Sequence, residues 1–193
     1  MNNIAIFASG SGTNAQRLIE HFSPITDTNI SILLTNKKNA GVIERAKKLG
    51  VPVRIFDREE FYNSENIVDF LQNEGIDWVI LAGFLWLIPS NLLKVFPRRI
   101  VNIHPALLPK YGGRGMYGMN VHRAVIDAKE QESGITIHYV DGEYDSGSII
   151  FQAVCPVNEA DTPETLAARI HELEYKYFPA VMENLILNKN KNV

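Results

Sequence analysis

Cysteine is almost missing from this chain. Cys155 is the only one among 193 residues, which excludes an intrachain disulfide and a metal centre built on thiolates. It stands before Pro156 in an apolar stretch, where a small core side chain is expected rather than a nucleophile. Long apolar runs are missing too. No segment approaches the length of a membrane span. Met1-Asn2-Asn3 leads straight into Ile4-Ala5-Ile6-Phe7-Ala8, without the basic start and apolar stretch of a secretion signal. A cytoplasmic protein with no membrane partner is expected. An excess of charge is absent: 19 Lys and Arg face 22 Asp and Glu, a formal net charge of -3. That balance argues against a nucleic-acid partner, although a local site for one phosphate is compatible with it. Repeats, linkers and low-complexity segments are also lacking, so residues 1–193 read as one domain. The composition, 46% hydrophobic and 21% charged, is that of an ordinary globular protein able to bury a core without staples.

What is present is an alternation of apolar strands and amphipathic helices. Strands are expected at 4–8, 30–35, 53–55, 78–82 and 99–102, and helices at 14–21, 40–49, 59–74 and 90–95. In the second helix Val42, Ile43, Ala46 and Leu49 form one face, with Glu44, Arg45, Lys47 and Lys48 opposite. Gly50 stops it as a residue free to adopt positive φ. Such alternation implies an α/β fold: a Rossmann-like, mostly parallel sheet with helices on both faces. The run Trp78-Val79-Ile80-Leu81-Ala82 fits a strand buried on both sides. After Asn102 the pattern changes. A Gly-rich stretch at 111–119 reads as a mobile lid or a passive connector. Two strands at 134–140 and 148–157, joined by a turn at 141–147, suggest an antiparallel pair toward the C-terminus. Thr162 caps a last helix that Pro163 opens and Pro179 ends or kinks. The polar tail at 188–193 is expected to fray.

Two segments carry chemistry. Ser9-Gly10-Ser11-Gly12-Thr13-Asn14-Ala15 joins the first strand to the first helix. Its glycines let backbone N–H groups and a helix N-terminus approach an anion. A dinucleotide site would want an acidic residue after the second strand, and Thr35-Asn36 stands there instead. A phosphomonoester on Gly12, Thr13 and Asn14 fits better than a dinucleotide; a plain turn with a capping Thr13 or Asn14 is the alternative. The second segment is Asn102-Ile103-His104-Pro105-Ala106-Leu107-Leu108-Pro109, answered by the carboxylates of Asp141-Gly142-Glu143-Tyr144-Asp145. An amide can hold an oxyanion, an imidazole can move a proton, and a carboxylate can charge and aim the imidazole. Metal binding is not expected, because His104, His122 and His138 lack ligand spacing. His138, alternating with Ile137 and Tyr139, reads as a partly exposed strand residue.

With Leu81-Ala82-Gly83-Phe84, Tyr144-Asp145-Ser146-Gly147 and Ile149-Ile150-Phe151-Gln152 added, these motifs resemble the folate-dependent formyltransferase superfamily, and the first loop narrows the resemblance to its glycinamide ribonucleotide branch. It runs from Ile4 to about Pro179. The resemblance implies formyl transfer from 10-formyltetrahydrofolate, as co-substrate, to the amine of 5'-phosphoribosylglycinamide in purine biosynthesis. It gives Asn102 the formyl oxygen and His104 the proton, and it has Asp145 raise the pKa of His104. Gly12, Thr13 and Asn14 would hold the ribose phosphate, with Arg58 as a further phosphate partner and Glu174 at the amino end. The pterin would lie along Leu85, Trp86, Leu87 and Ile88 and along Asp141, Gly142 and Glu143, with Trp86 either stacking on it or packing. A monomer or weak homodimer, acting on small molecules without a metal, is implied. A methionyl-tRNA formyltransferase would bring a further domain and basic surface, and a formyltetrahydrofolate hydrolase a regulatory domain. A non-catalytic phosphosugar-binding module would need the loop alone.

Overall fold

The computed structural model describes residues 1–188. In chain order it holds β1 (Asn2–Phe7), α1 (Thr13–Phe22), β2 (Thr28–Thr35), α2 (Val42–Lys48), β3 (Val53–Ile55), α3 (Arg58–Tyr62) and α4 (Asn66–Asn73). There follow β4 (Trp78–Leu81), α5 (Ser90–Val95), β5 (Ile100–His104), α6 (Met119–Asp127), β6 (Glu132–Tyr139), β7 (Ile149–Pro156) and α7 (Pro163–Asn188). One seven-stranded sheet runs β3-β2-β1-β4-β5-β6-β7. The first five strands in that order pair parallel. β6 runs antiparallel to β5, and β7 antiparallel to β6. The mostly parallel α/β sheet and the C-terminal antiparallel strands are as the sequence implies.

Alternate residues of the central strands serve two cores. Ile4, Ile6 and Ala8 join Leu18 and Phe22 of α1 and Phe178, Met182 and Ile186 of α7 on one side. Ala5 and Phe7 join Phe61, Ile67, Leu71 and Leu92 on the other. Because both faces are covered, the strands are apolar at successive positions. Each large side chain removed from water contributes about 2 kcal/mol. α7 lies against α1, α6 and β6, which carries its middle turns over the C-terminal end of the sheet.

Several local expectations are corrected. The helix expected at 59–74 is two helices. Asp57 and Glu60 form a capping box for α3. Ser64 then ends α3 by donating its hydroxyl to Glu60 O at 2.9 Å, and accepts the Asn66 N–H at 3.2 Å where α4 begins. Helix α6 occupies 119–127, where none was expected. Its start has no side-chain cap, and its buried face mixes Val121 and Val125 with a histidine. Of the two outcomes open for Pro179, ending the helix is excluded, since α7 continues to Asn188 with the proline inside it. His138 is buried, 2% exposed, rather than partly exposed, because β6 lies inside the sheet between β5 and β7 and the ring meets Asn102 and Asp145. The tail beyond Asn188 lies outside the described residues.

Other expectations hold. Gly50 takes φ 74 and donates its N–H to Lys47 O, closing α2. Thr162 caps α7 through the Thr165 N–H at 3.3 Å. No helix among the described residues is long and apolar enough to cross a membrane.

Candidate active site

The C-terminal ends of β1, β4 and β5 open on one cleft, a cavity of about 660 Å³. Open α/β sheets bind ligands at this end, where strand order turns back. Ser9 to Asn14 line one side, Asn102 and His104 the floor, and Tyr144 and Asp145 another wall. Gly113 to Gly118 arch over it, and His122, His171 and Glu174 close it from α6 and α7.

The first loop is fixed by close packing. Gly12 takes φ 80, and a Cβ there would stand 2.2 Å from Val42 Cγ2; only glycine fits. Gly12 precedes α1 with no side-chain cap, so neither Thr13 nor Asn14 serves as the plain cap, and the N–H groups of this turn remain for a ligand. Asn14 Nδ2 donates to Glu174 Oε2 at 2.9 Å. Asn14 Oδ1 is buried without a partner, an arrangement that costs about 1–3 kcal/mol unless a ligand supplies a donor.

At the other end of the cleft, Asn102 and His104 point to the same side of β5 because they are two apart on a strand. The segment after His104 is stapled down. Thr136 Oγ1 donates to Ala106 O at 2.7 Å, and accepts from Leu108 N at 3.0 Å and Gln152 Nε2 at 2.9 Å. Asp145, held at φ 56, is the hub. Its Oδ2 accepts the Gly113 N–H at 3.0 Å and faces His104 Nδ1 at 3.5 Å. Its Oδ1 accepts from Asn102 Nδ2 at 3.5 Å and lies 3.6 Å from His138 Nε2. His138 Nδ1 donates to Tyr139 O at 2.8 Å, and its Nε2 lies 3.1 Å from Asn102 Nδ2 while facing Asp145. The amide of Asn102 is thereby fixed with its NH2 toward the site.

Electrostatics separate these groups. Burial alone would raise Asp145, but His138, His104 and the Gly113 N–H together outweigh it and hold the carboxyl below its ordinary range. His104 is 3% exposed, and burial pushes its pKa down more than Asp145 and the Tyr111 carbonyl push it up. This corrects the expectation that Asp145 leaves the imidazole above its ordinary value: desolvation of the cation is the larger effect. Burial also takes His122 down to about 4, with His171 adding to the drop. His171 goes the other way, because Glu174 Oε2 accepts from its Nδ1 at 2.9 Å.

Asn102, His104, Asp145, Gly12, Thr13, Asn14, Glu174 and Leu85 thus line one cleft. Other residues singled out from sequence do not. Arg58 lies in a shallow depression with Asp57, Glu59 and Tyr62, its guanidinium over the rings of Tyr62 and Trp86. Trp86 packs among Phe56, Phe61, Tyr62 and Phe84, with centroids 5.6–6.2 Å apart. Leu87 O accepts from Tyr62 at 3.1 Å, and Ile88 is buried. Asp141, Gly142 and Glu143 are exposed and shape the turn, with Asp141 Oδ1 accepting from Glu143 N and Ser146 Oγ. Among the described residues no group of three or more His, Cys, Asp or Glu side chains is placed to hold a metal.

The profile of one protein family, described as formyl transferase, matches residues 2–182. The chain belongs to the formyl transferase family. Within it, the chain is 43% identical to a chloroplastic phosphoribosylglycinamide formyltransferase of Arabidopsis thaliana, over 93% of this chain and 63% of that protein. A Bacillus subtilis phosphoribosylglycinamide formyltransferase is 34% identical over 99% and 98% of the two chains. The chain spans only 60–63% of the length of the two plant relatives it matches. The solved phosphoribosylglycinamide formyltransferase of Bacillus halodurans superposes with a TM-score of 0.86 at 38% identity, covering 96% and 95% of the two chains.

Sequence reading missed three further groups in and around this cleft. His171 stands three residues before Glu174 on α7, and that spacing was the available signal. Tyr111 meets His104 only through its backbone carbonyl, for which sequence holds no sign. Lys37 reaches the cleft from the end of β2.

Proposed function

We propose that this chain transfers the formyl group of 10-formyltetrahydrofolate to the amine of 5'-phosphoribosylglycinamide, giving the formylated ribonucleotide and tetrahydrofolate, a step of purine biosynthesis. The observation that supports this most is that Asn102 and His104 each lie 3.5 Å from Asp145 in a cleft whose far side is the Gly12–Thr13–Asn14 turn with Glu174. One end suits acyl transfer and the other suits a phosphorylated amine.

In this reading the Gly12, Thr13 and Asn14 backbone and the start of α1 hold the phosphate. Glu174, already accepting from Asn14 and His171, takes the glycinamide end. The amine attacks the formyl carbon and the carbonyl π pair moves onto oxygen. Asn102 turns the N–H of its long 3.5 Å contact with Asp145 to that oxyanion, in a buried setting where such a bond is strong. His104, neutral at rest because burial disfavours its cation, takes the proton that the amine sheds. The imidazolium gains from Asp145 and from the nearby oxyanion. It then gives the proton to N10 as the carbon–nitrogen bond breaks and the carbonyl re-forms. A low-pKa imidazolium is a strong acid, which suits that last step.

The folate ring is assigned to the wall where Leu85 and Tyr144 line the cleft, beside the backbone of 85–88 and 141–145. Arg58 has no place in this scheme, since it does not reach the cleft. The reaction runs in the cytoplasm on small molecules, without metal, nucleic acid or membrane, by a monomer or weak homodimer formed of one domain.

A steady-state assay of tetrahydrofolate release, with and without 5'-phosphoribosylglycinamide, tests the proposal. Release that requires the amine is the expected result. Release without it identifies a hydrolase, and no release leaves a phosphate-binding module or a different amine.

A further inference from the structure

His104 has two ring nitrogens, and their surroundings differ. Nε2 lies 2.8 Å from Tyr111 O. A carbonyl oxygen can only accept, so Nε2 carries a hydrogen whatever the charge on the ring. Nδ1 faces Asp145 Oδ2 at 3.5 Å, a longer contact. In the neutral ring, Nδ1 therefore holds the lone pair. Tyr111 itself is clasped. It sits at φ 56, an unusual backbone state for an aromatic residue. Its hydroxyl donates to Glu130 Oε1 at 2.9 Å, and Lys110 Nζ reaches both oxygens of Glu130 at 2.9 and 3.2 Å. Glu130 follows α6, so the clasp joins the two feet of the segment that carries the Gly-rich arch and His122.

We infer that Glu130, through Lys110 and Tyr111, is a positioning residue: it holds the Tyr111 carbonyl on His104 Nε2 and so makes Nδ1 the nitrogen that exchanges the proton in formyl transfer. The role resembles that of the carboxylate that fixes histidine tautomer in hydrolytic triads, played by a backbone carbonyl. Asp145 is then the neighbour of the working nitrogen and stabilises its charge. The other ionisable groups around the ring are His138 of β6, His122 of α6 and Glu174 of α7. Glu174 is committed to Asn14 and His171, and His138 to Asn102 and Tyr139. None of them contacts Nε2.

The inference rests on the transferase reading for what the proton does, but its geometry can be tested without turnover. Nitrogen-15 spectra of histidine-labelled protein report which ring nitrogen of His104 is protonated. The wild type is expected to show Nε2–H at neutral pH. Tyr111→Phe and Glu130→Ala should each lose that preference and lower kcat roughly tenfold with little change in KM. Glu130→Gln, which keeps an acceptor for the Tyr111 hydroxyl, should retain most of both. The double variant should be no worse than either single one, since both break one clasp. Thermal unfolding checks that each variant is folded, and Glu130→Gln against Glu130→Ala serves if Tyr111→Phe is not. A His104 tautomer unchanged in Tyr111→Phe and Glu130→Ala overturns the inference whatever the transfer assay gives. Absence of formyl transfer in the wild type overturns the proposed function and leaves the tautomer result standing.

Discussion

Burial and charge pull His104 in opposite directions, and the balance has kinetic consequences. Burial holds its pKa below the ordinary 6.5, so the free enzyme offers a neutral base at pH 7. As pH falls through that lowered value the base is lost, and kcat/KM should fall with it. Asp145, held lower still than an ordinary carboxylate, keeps its charge through this window. A pH–rate profile flat into strongly acidic solution would refute the assignment. His104→Ala should cost roughly 10²–10⁴-fold in kcat while binding of a ribose phosphate ligand, measured by calorimetry, stays nearly unchanged. His122 makes a different prediction. It is 2% exposed and remains neutral down to about pH 4, whereas the unfolded chain takes up a proton near 6.5. Its contribution to stability is therefore complete above about 6.5 and is lost as pH falls toward 4. Thermal unfolding from pH 7 to 4 should show His122→Asn losing less than the wild type, by on the order of 3 kcal/mol. That Asn102, His104 and Asp145 would meet was legible in sequence, from their types and from the strand end and turn that carry them. The sign of the His104 shift was not, because desolvation depends on how α6, α7 and β6 close around the ring.

At the scale of elements, the loop before α1 is the most constrained part of the site. Gly12→Ala would bring a Cβ against Val42 and force a side chain into positive φ. It should destabilise the fold by about 2 kcal/mol or more and weaken phosphate binding, read by urea unfolding and by KM for the ribonucleotide. Gly134 is fixed by a different neighbour. A Cβ there would lie 2.0 Å from Ala153 O, so Gly134→Ala should loosen β6 from β7 and disturb the Thr136–Gln152 staple. A larger drop in unfolding midpoint than for Gly142→Ala, which meets nothing within 4 Å, is expected. The strands were readable because both faces are buried, and α2 because its apolar face and Gly50 agree. α6 was not readable: it lacks a side-chain cap and turns a histidine inward. The break between α3 and α4 escaped notice as well, since the apolar period of 59–74 runs on through Asn63-Ser64-Glu65 while side-chain hydrogen bonds interrupt the backbone.

Over the whole molecule, the site exists only where distant parts of the chain meet. β1 brings the anion turn, β5 the reacting pair, the turn before β7 the carboxylate, and α7 returns with Glu174. The proposed reaction then needs both substrates in one cleft at once, and double-reciprocal plots should intersect. Parallel lines, the mark of a formylated enzyme, would count against the scheme. Phe178, fully buried one turn beyond Glu174, ties the two ends together. Phe178→Ala should cost about 3–5 kcal/mol and raise KM for the ribonucleotide more than KM for the folate, which sequence alone could not foretell because it pairs residues 14 and 174. The clasp of Lys110 and Tyr111 with Glu130 has a consequence of another kind. Because it joins the feet of the arch, the stretch beyond Gly113, from Arg114 to Tyr117, can change length while Gly113 stays on Asp145, and loop closure penalises added residues only weakly. The arch is thus a cassette: a graftable roof, open to exchange by an engineer seeking other acceptor amines, over a floor that stays where it is.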